Sequence, residues 1–65
     1  MTICMTNGGI YNNVRSINNE TVNVKDTKTL FASLKKEINN YEFIIIEYVT
    51  GKALIRTSCI SSINI

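Results

Sequence analysis

The chain has 65 residues, a net charge of +2, and a composition that is 45% hydrophobic and 18% charged. This length predicts one small domain spanning residues 1–65, and the composition excludes a disordered chain because it is too apolar and too weakly charged. The mild positive charge is far from that of a dedicated DNA-binding protein. A chain this short buries only about 60% of its unfolded surface, so disulfides, metals or oligomerisation usually assist its stability.

The first strand is expected within residues 1–6, which are rich in strand formers. Asn7-Gly8 follows, and this dipeptide is typical of a two-residue type I′ hairpin turn. The return strand is then expected over residues 9–17. This register sets Met5 opposite Ile10, Ile3 opposite Asn12, and Met1 opposite Val14.

Asn18-Asn19-Glu20 is predicted to be a three-residue loop leading into a third strand. That loop sets Val14 opposite Val24 and Ser16 opposite Val22. Because side chains alternate between the two faces of a strand, the two turns together predict one apolar face. Its members are Met1, Ile3, Met5, Ile10, Val14, Val22 and Val24.

One amphipathic helix is predicted over about 27–39. Asp26 precedes it as an N-cap whose carboxylate can accept from the first backbone N–H groups of the helix. Apolar residues then recur at helical spacing, and Asn39-Asn40 can end the helix in the left-handed conformation. The predicted core face consists of Leu30, Phe31, Leu34 and Ile38.

The segment EFIIIEYVTGKALIR, residues 42–56, predicts a β-hairpin with its turn at Thr50-Gly51. The face expected to meet the helix pairs Tyr48 with Ala53, Ile46 with Ile55, and Ile44 with Thr57. The other face is also apolar, and it carries Phe43, Ile45, Glu47, Val49, Leu54 and Arg56, with Lys52 at its tip. Beyond Arg56, the isoleucines at 60, 63 and 65 suggest that the chain bends and returns to a core.

These elements predict an α+β fold with the order β-β-β-α-β-β. Two arrangements cover the second face of the hairpin. One is a small OB/SH3-like barrel, since a helix between the third and fourth strands is the element order of the OB fold. The other is an open five-stranded antiparallel sheet whose free face meets a second copy.

Catalysis is not expected, so we predict no catalytic residues and a protein that is not an enzyme. The missing histidine removes the commonest general base. Glu42 and Glu47 lie on opposite faces of the predicted strand, so they cannot act as a carboxylate pair. Glu47 and Arg56 are expected to form a diagonal ion pair across the hairpin.

Metal and cofactor binding are not expected either. Cys4 and Cys59 lie near opposite ends of the chain and outside any C-x-x-C motif, so we expect no metal ligands and no cofactor. The two thiols are expected to be half-buried, with a disulfide between the terminal strands as the less favoured alternative.

A cytoplasmic protein with no membrane partner is expected. The N-terminal residues MTICMTNGG lack the basic and apolar regions of a signal peptide. The longest apolar run, residues 43–46, is too short to cross a bilayer. Asparagine and isoleucine, which AT-rich codons encode, are abundant, and this association suggests a phage or another mobile element as the source.

The surplus apolar face favours a protein-interaction function, because exposed apolar patches mark interfaces. We expect a homo-oligomer, dimeric or larger, that binds and inhibits or regulates a larger protein. The predicted interface residues are Phe43, Ile45, Val49 and Leu54.

Two other binding functions stay open. The first is a single-stranded nucleic-acid-binding OB-like module, in which aromatic rings stack on bases and cations follow the backbone. The second is an oligomer that holds a small anionic ligand between subunits. The residues predicted to contact nucleic acid or an anion are Tyr11, Asn13, Arg15, Lys52 and Arg56.

Overall fold

The protein is an α+β structure with one helix and two antiparallel sheets, as seen in a computed structural model that describes residues 1–23 and 25–65. The described elements are β1 (Thr2–Met5), β2 (Ile10–Tyr11), β3 (Ser16–Ile17), β4 (Glu20–Thr21), α1 (Thr27–Asn40), β5 (Phe43–Tyr48), β6 (Gly51–Arg56), a 3-10 turn (Thr57–Cys59) and β7 (Ile60–Asn64).

The strands form a three-stranded sheet in the order β2-β1-β7 and a four-stranded sheet in the order β4-β3-β5-β6. The predicted α+β class is therefore confirmed, whereas the strands are shorter, more numerous and divided differently from the five predicted. No described helix has the length and apolar character that crossing a lipid bilayer requires.

The β1–β2 turn has three residues rather than two. The backbone N–H of Met5 donates to the carbonyl of Gly9 at 2.7 Å, and that of Gly8 donates to the carbonyl of Met5 at 3.0 Å. Gly8 has φ +92°, so this is a tight turn whose last residue needs positive φ. The longer loop sets Ile3 opposite Tyr11 and corrects the predicted register by one residue.

The predicted strand over residues 9–17 is divided by Asn13, whose φ is +52°. Val14 still donates its N–H to Met1 in the first sheet, whereas Arg15 donates to Glu47 in the second. The segment therefore passes from one sheet to the other. As a result Val14 is buried as predicted, but Ile10 is 60% exposed rather than part of the core.

The β3–β4 turn has two residues, Asn18 and Asn19, rather than the three predicted. Both have positive φ, at +51° and +67°, as a type I′ turn requires. Ile17 therefore pairs with Glu20 and Ser16 with Thr21, one residue away from the predicted register. The prediction for Val24 lies outside the described residues.

Helix α1 begins and ends close to its predicted bounds. The Asp26 carboxylate accepts from the N–H of Thr29 at 3.2 Å, and hydrogen bonding from the side chain and the backbone N–H of Thr29 lowers the pKa of Asp26. The predicted left-handed end at Asn39-Asn40 is wrong, since the helix ends where Tyr41 becomes extended. Phe31 is 47% exposed instead of buried, because the face centred on Leu30 and Leu34 leaves it at the margin.

The β5–β6 hairpin turns at Val49-Thr50, so Ile44 pairs with Ile55 and Ile46 with Ala53. This differs by two residues from the predicted register, and a shift of two keeps every side chain on its predicted face. The two sheets and the helix share one hydrophobic core. Its buried apolar residues are Ile3, Val14, Ile17, Leu30, Leu34, Ile44, Ile46 and Ile55.

The C-terminal segment bends and rejoins the fold, as predicted. After the 3-10 turn, β7 pairs with β1, and Ile60 and Ile63 pack against the core, whereas Ile65 is exposed. Thr57 is buried and stabilises the bend, because its hydroxyl donates to the carbonyls of Tyr41 at 2.8 Å and Glu42 at 3.1 Å.

Candidate interaction surface

The side of the β5–β6 hairpin that faces away from the core presents four large apolar residues to solvent. We call this surface the outer face. Successive side chains of a strand point to opposite sides, so burial of Ile44 and Ile46 forces their odd-numbered neighbours outward. The exposed fractions are 43% for Phe43, 43% for Ile45, 50% for Val49 in the turn and 66% for Leu54.

The apolar residues of the outer face adjoin one another. Ile45 lies directly opposite Leu54 in the strand pairing, and Phe43 lies opposite Arg56. The Arg56 guanidinium lies 5.2 Å from the centroid of the Phe43 ring, which is within the range of a cation–π contact. Phe43, Ile45 and Leu54 are therefore neighbours on one apolar patch, whereas Val49 lies in the turn beyond the Glu47–Lys52 pair.

Two ion pairs lie at the two ends of this patch. Lys52 Nζ lies 3.9 Å from Glu47 Oε2, and Arg56 lies 3.5 Å from Glu42 Oε1. The predicted diagonal pair between Glu47 and Arg56 is corrected, because the register sets Lys52 directly opposite Glu47. Exposed pairs of this kind stabilise a fold by less than about 1 kcal/mol, but they make the ends of the outer face neutral.

Asn18 hydrogen-bonds the backbone of β5, the strand that carries Phe43 and Ile45 of the outer face. Its amide oxygen accepts from the N–H of Ile45 at 3.0 Å, and its amide nitrogen donates to Glu37 Oε2 at 2.9 Å. Its own N–H donates to the carbonyl of Ile45 at 2.8 Å. Asn18 thereby links β5 to the helix, and these hydrogen bonds hold the strand that carries Phe43 and Ile45 in place.

The other side of the hairpin is open. Strand β6 is the last strand of its sheet in the described topology. On one side its backbone pairs with β5, and no described strand pairs with its other edge. Lysine on an edge strand opposes uncontrolled strand addition, and Lys52 and Arg56 alternate with Leu54 there. This pattern favours contact through the face rather than through the edge.

The residues predicted to contact nucleic acid or an anion fall into separate groups. Tyr11 is half-buried and meets Tyr48 edge-on, with ring centroids 5.0 Å apart. Asn13 and Arg15 are exposed in the segment that connects the two sheets. Lys52 and Arg56 lie on β6, where each is paired with a glutamate.

A small cavity of about 210 Å³ lies between α1 and the β3–β4 hairpin, and the sequence patterns did not reveal it. Ile17, Leu30 and Leu34 contribute apolar walls, and Glu20, Asp26 and Glu37 contribute carboxylates. Asp26 already caps the helix and Glu37 already accepts from Asn18. The cavity is also smaller than the roughly 300–1,000 Å³ of most ligand pockets, so it is the weaker candidate site.

Groups capable of chemistry are few in the part of the chain that the structure describes. Cys4 and Cys59 are free thiols of intermediate burial. No cluster of three or more His, Cys, Asp or Glu side chains suited to a metal ion occurs among residues 1–23 and 25–65. The outer face is therefore the best-defined candidate site.

Comparison of the chain with protein-family models, with curated proteins and with solved structures found no match.

Proposed function

We propose that this chain is a non-catalytic interaction protein. Its copies associate through the outer face, and the resulting oligomer binds a larger protein and inhibits or regulates it. The proposal extends to a cytoplasmic setting and to a phage or mobile-element origin. The observation that carries it is the exposure of four large apolar residues on the hairpin, Phe43, Ile45, Val49 and Leu54.

Energetics support the use of this patch as an interface. Full burial of one such side chain is worth about 1.5–3 kcal/mol. About half of each of the four is still in contact with solvent, so covering all of them would contribute on the order of 4 kcal/mol. That is comparable with the whole net stability of a domain of this size, about 5 kcal/mol.

The charges of the outer face favour a protein surface over nucleic acid. Single strands are bound by positive grooves with aromatic platforms, and binding depends on uncompensated cations. Here Lys52 and Arg56 are each matched by a glutamate. The alternative of an OB-like single-strand-binding module, and that of an anion held between subunits, therefore have less support.

Solution mass tests the association. Light scattering of the wild type should give a mass above that of one chain, and Leu54→Glu should reduce it to one chain, because a buried carboxylate is costly. Phe31→Glu is the matched control, since Phe31 is a similarly exposed apolar residue on the helix. A wild type that stays monomeric, or an oligomer that Leu54→Glu leaves intact, would contradict the proposal.

The larger partner needs a separate test. Tagged wild type and Leu54→Glu would be used to capture proteins from a candidate host, and a captured protein would then be purified and mixed with each. A defined complex with the wild type, together with a changed activity of the captured protein, supports the proposal. Salt-sensitive binding of labelled single strands, without such a complex, supports the nucleic-acid alternative instead.

A further inference from the structure

The charges of the outer face are arranged in two rows. The acidic residue Glu47 lies on β5, and Glu42 directly precedes β5 and reaches Arg56 with its carboxylate at 3.5 Å. The basic residues Lys52 and Arg56 lie on β6. Ile45 and Leu54 are opposite each other between them. The face is therefore acidic along one strand, basic along the other and apolar in the middle.

This pattern is complementary to itself in one orientation. If two hairpins stack about a twofold axis along the strands, β5 of each copy lies over β6 of the other, and acids face bases. If the axis runs across the strands, β5 lies over β5, so that Glu42 approaches the partner's Glu47 and Lys52 approaches the partner's Arg56. Like charges brought together in this way oppose association.

We propose that a second copy of this chain covers the outer face, stacked sheet on sheet about a twofold axis along the strands. The inference rests on the proposed function and specifies its interface. Each Glu47 then meets the partner's Lys52, and each Glu42 meets the partner's Arg56, while Ile45 and Leu54 fill the centre. Sheets stacked in this aligned manner keep their strand directions within about 30°, and a twofold interface uses the same patch on both copies.

Paired charge reversals test this arrangement. Glu47→Lys places four cations at one end of the dimer, and Lys52→Glu places four anions there. Each variant alone should therefore self-associate roughly tenfold or more weakly than the wild type. An equimolar mixture of the two should associate as well as the wild type, since the lysine introduced in one variant then meets the glutamate introduced in the other. The double variant Glu47→Lys/Lys52→Glu should also recover, and sedimentation velocity measures all four samples.

Controls separate charge from folding. Circular dichroism should show that each variant keeps the native fold, since both ion pairs are exposed and contribute little stability. Lys35→Glu reverses a charge on the exposed surface of α1 and should leave association unchanged.

Two outcomes would overturn the arrangement. One is a Glu47→Lys variant that associates as tightly as the wild type or more tightly. The other is a mixture that remains as weak as its components. If Leu54→Glu still abolishes association in that case, only the orientation is wrong and the proposed function stands. If Leu54→Glu has no effect, the outer face is not the interface and the proposed function fails as well.

Discussion

Asn18 illustrates how much a single side chain can contribute in a fold this small. Its backbone lies in the left-handed region that a type I′ turn needs. Its side chain also hydrogen-bonds β5 at Ile45 and α1 at Glu37. Asn18 therefore has two roles, one in the turn conformation and one in hydrogen bonds to distant elements. A substitution that keeps the first role and removes the second can separate their contributions to stability.

Replacing Asn18 with glycine should preserve the turn and remove the tertiary contacts, because glycine enters the left-handed region readily. We expect Asn18→Gly to lower the free energy of unfolding by about 1–2 kcal/mol, the range for lost, partly buried hydrogen bonds. Asn19→Gly is the matched control. Asn19 has the same left-handed backbone, but its side chain donates to and accepts from no described residue, so its loss should be near zero.

Urea unfolding monitored by circular dichroism would measure both variants. Equal stability of Asn18→Gly and Asn19→Gly would show that the side-chain hydrogen bonds of Asn18 add no measurable stability. Asn18 would then matter only for the backbone conformation of the turn. The position of β5 would then depend on the core beneath it and not on the contacts to the turn.

At the scale of elements, the strand faces of the hairpin were predictable, but the absolute registers were not. Alternation along residues 43–48 and 51–56 separates a buried set from an exposed set, and a shift of two residues leaves those sets unchanged. This is why Phe43, Ile45 and Leu54 were correctly predicted to share the exposed side of the hairpin, although the turn lies one residue earlier than expected. For these three residues alternation alone is sufficient, whereas Val49 lies in the turn.

The N-terminal registers failed because several asparagines can adopt positive φ. Asn7, Asn13, Asn18 and Asn19 are all suited to the left-handed region, yet among described non-glycine residues only the last three occupy it. The Asn18 turn, for example, is hydrogen-bonded to Ile45 of β5, a strand distant in sequence. The local sequence does not show which asparagine takes positive φ. The two turns predicted wrongly, β1–β2 and β3–β4, each moved a strand register by one residue.

The β1–β2 turn depends more on Gly8 than on Asn7. Gly8 requires positive φ, whereas Asn7 only accepts a hydrogen bond from the N–H of Gly9 at 2.9 Å. Gly8→Ala should therefore destabilise the fold by about 1–2 kcal/mol, the cost of a left-handed alanine. Asn7→Ala should cost only about 0.5 kcal/mol for an exposed hydrogen bond. Thermal unfolding followed by circular dichroism compares the two.

The same pair of variants discriminates the observed turn from the type I′ turn expected from Asn7-Gly8. A type I′ turn needs positive φ at both central residues, so both substitutions would then be costly. Comparable losses for Asn7→Ala and Gly8→Ala would contradict the three-residue loop, and with it the pairing of Ile3 with Tyr11.

At the scale of the whole molecule, the question is whether one chain is sufficient for stability. Among the described residues, eight apolar side chains are buried in the core, while four others are exposed on the outer face. A domain of this size gains few kcal/mol from its core alone. Association through the outer face would bury more apolar surface, and it would do so without the conformational entropy cost of ordering additional residues.

If association contributes in this way, stability should depend on protein concentration. Because each tenfold change in concentration corresponds to about 1.4 kcal/mol, a hundredfold increase should raise the free energy of unfolding by about 2.8 kcal/mol per dimer. The midpoint of urea unfolding for the wild type should therefore rise between micromolar and hundred-micromolar samples. Leu54→Glu should unfold at a constant midpoint, lower than that of the concentrated wild type, whereas Phe31→Glu should follow the wild-type trend.

A wild-type midpoint that does not change with concentration would mean that the single chain is stable with its outer face in water. In that case Leu54→Glu should match the wild type in stability, because Leu54 is already 66% exposed in the isolated chain. A fall in stability on Leu54→Glu that is the same at every concentration would instead indicate that Leu54 packs within its own chain. Concentration dependence and its loss on Leu54→Glu are thus both needed to assign the apolar patch to contacts between molecules.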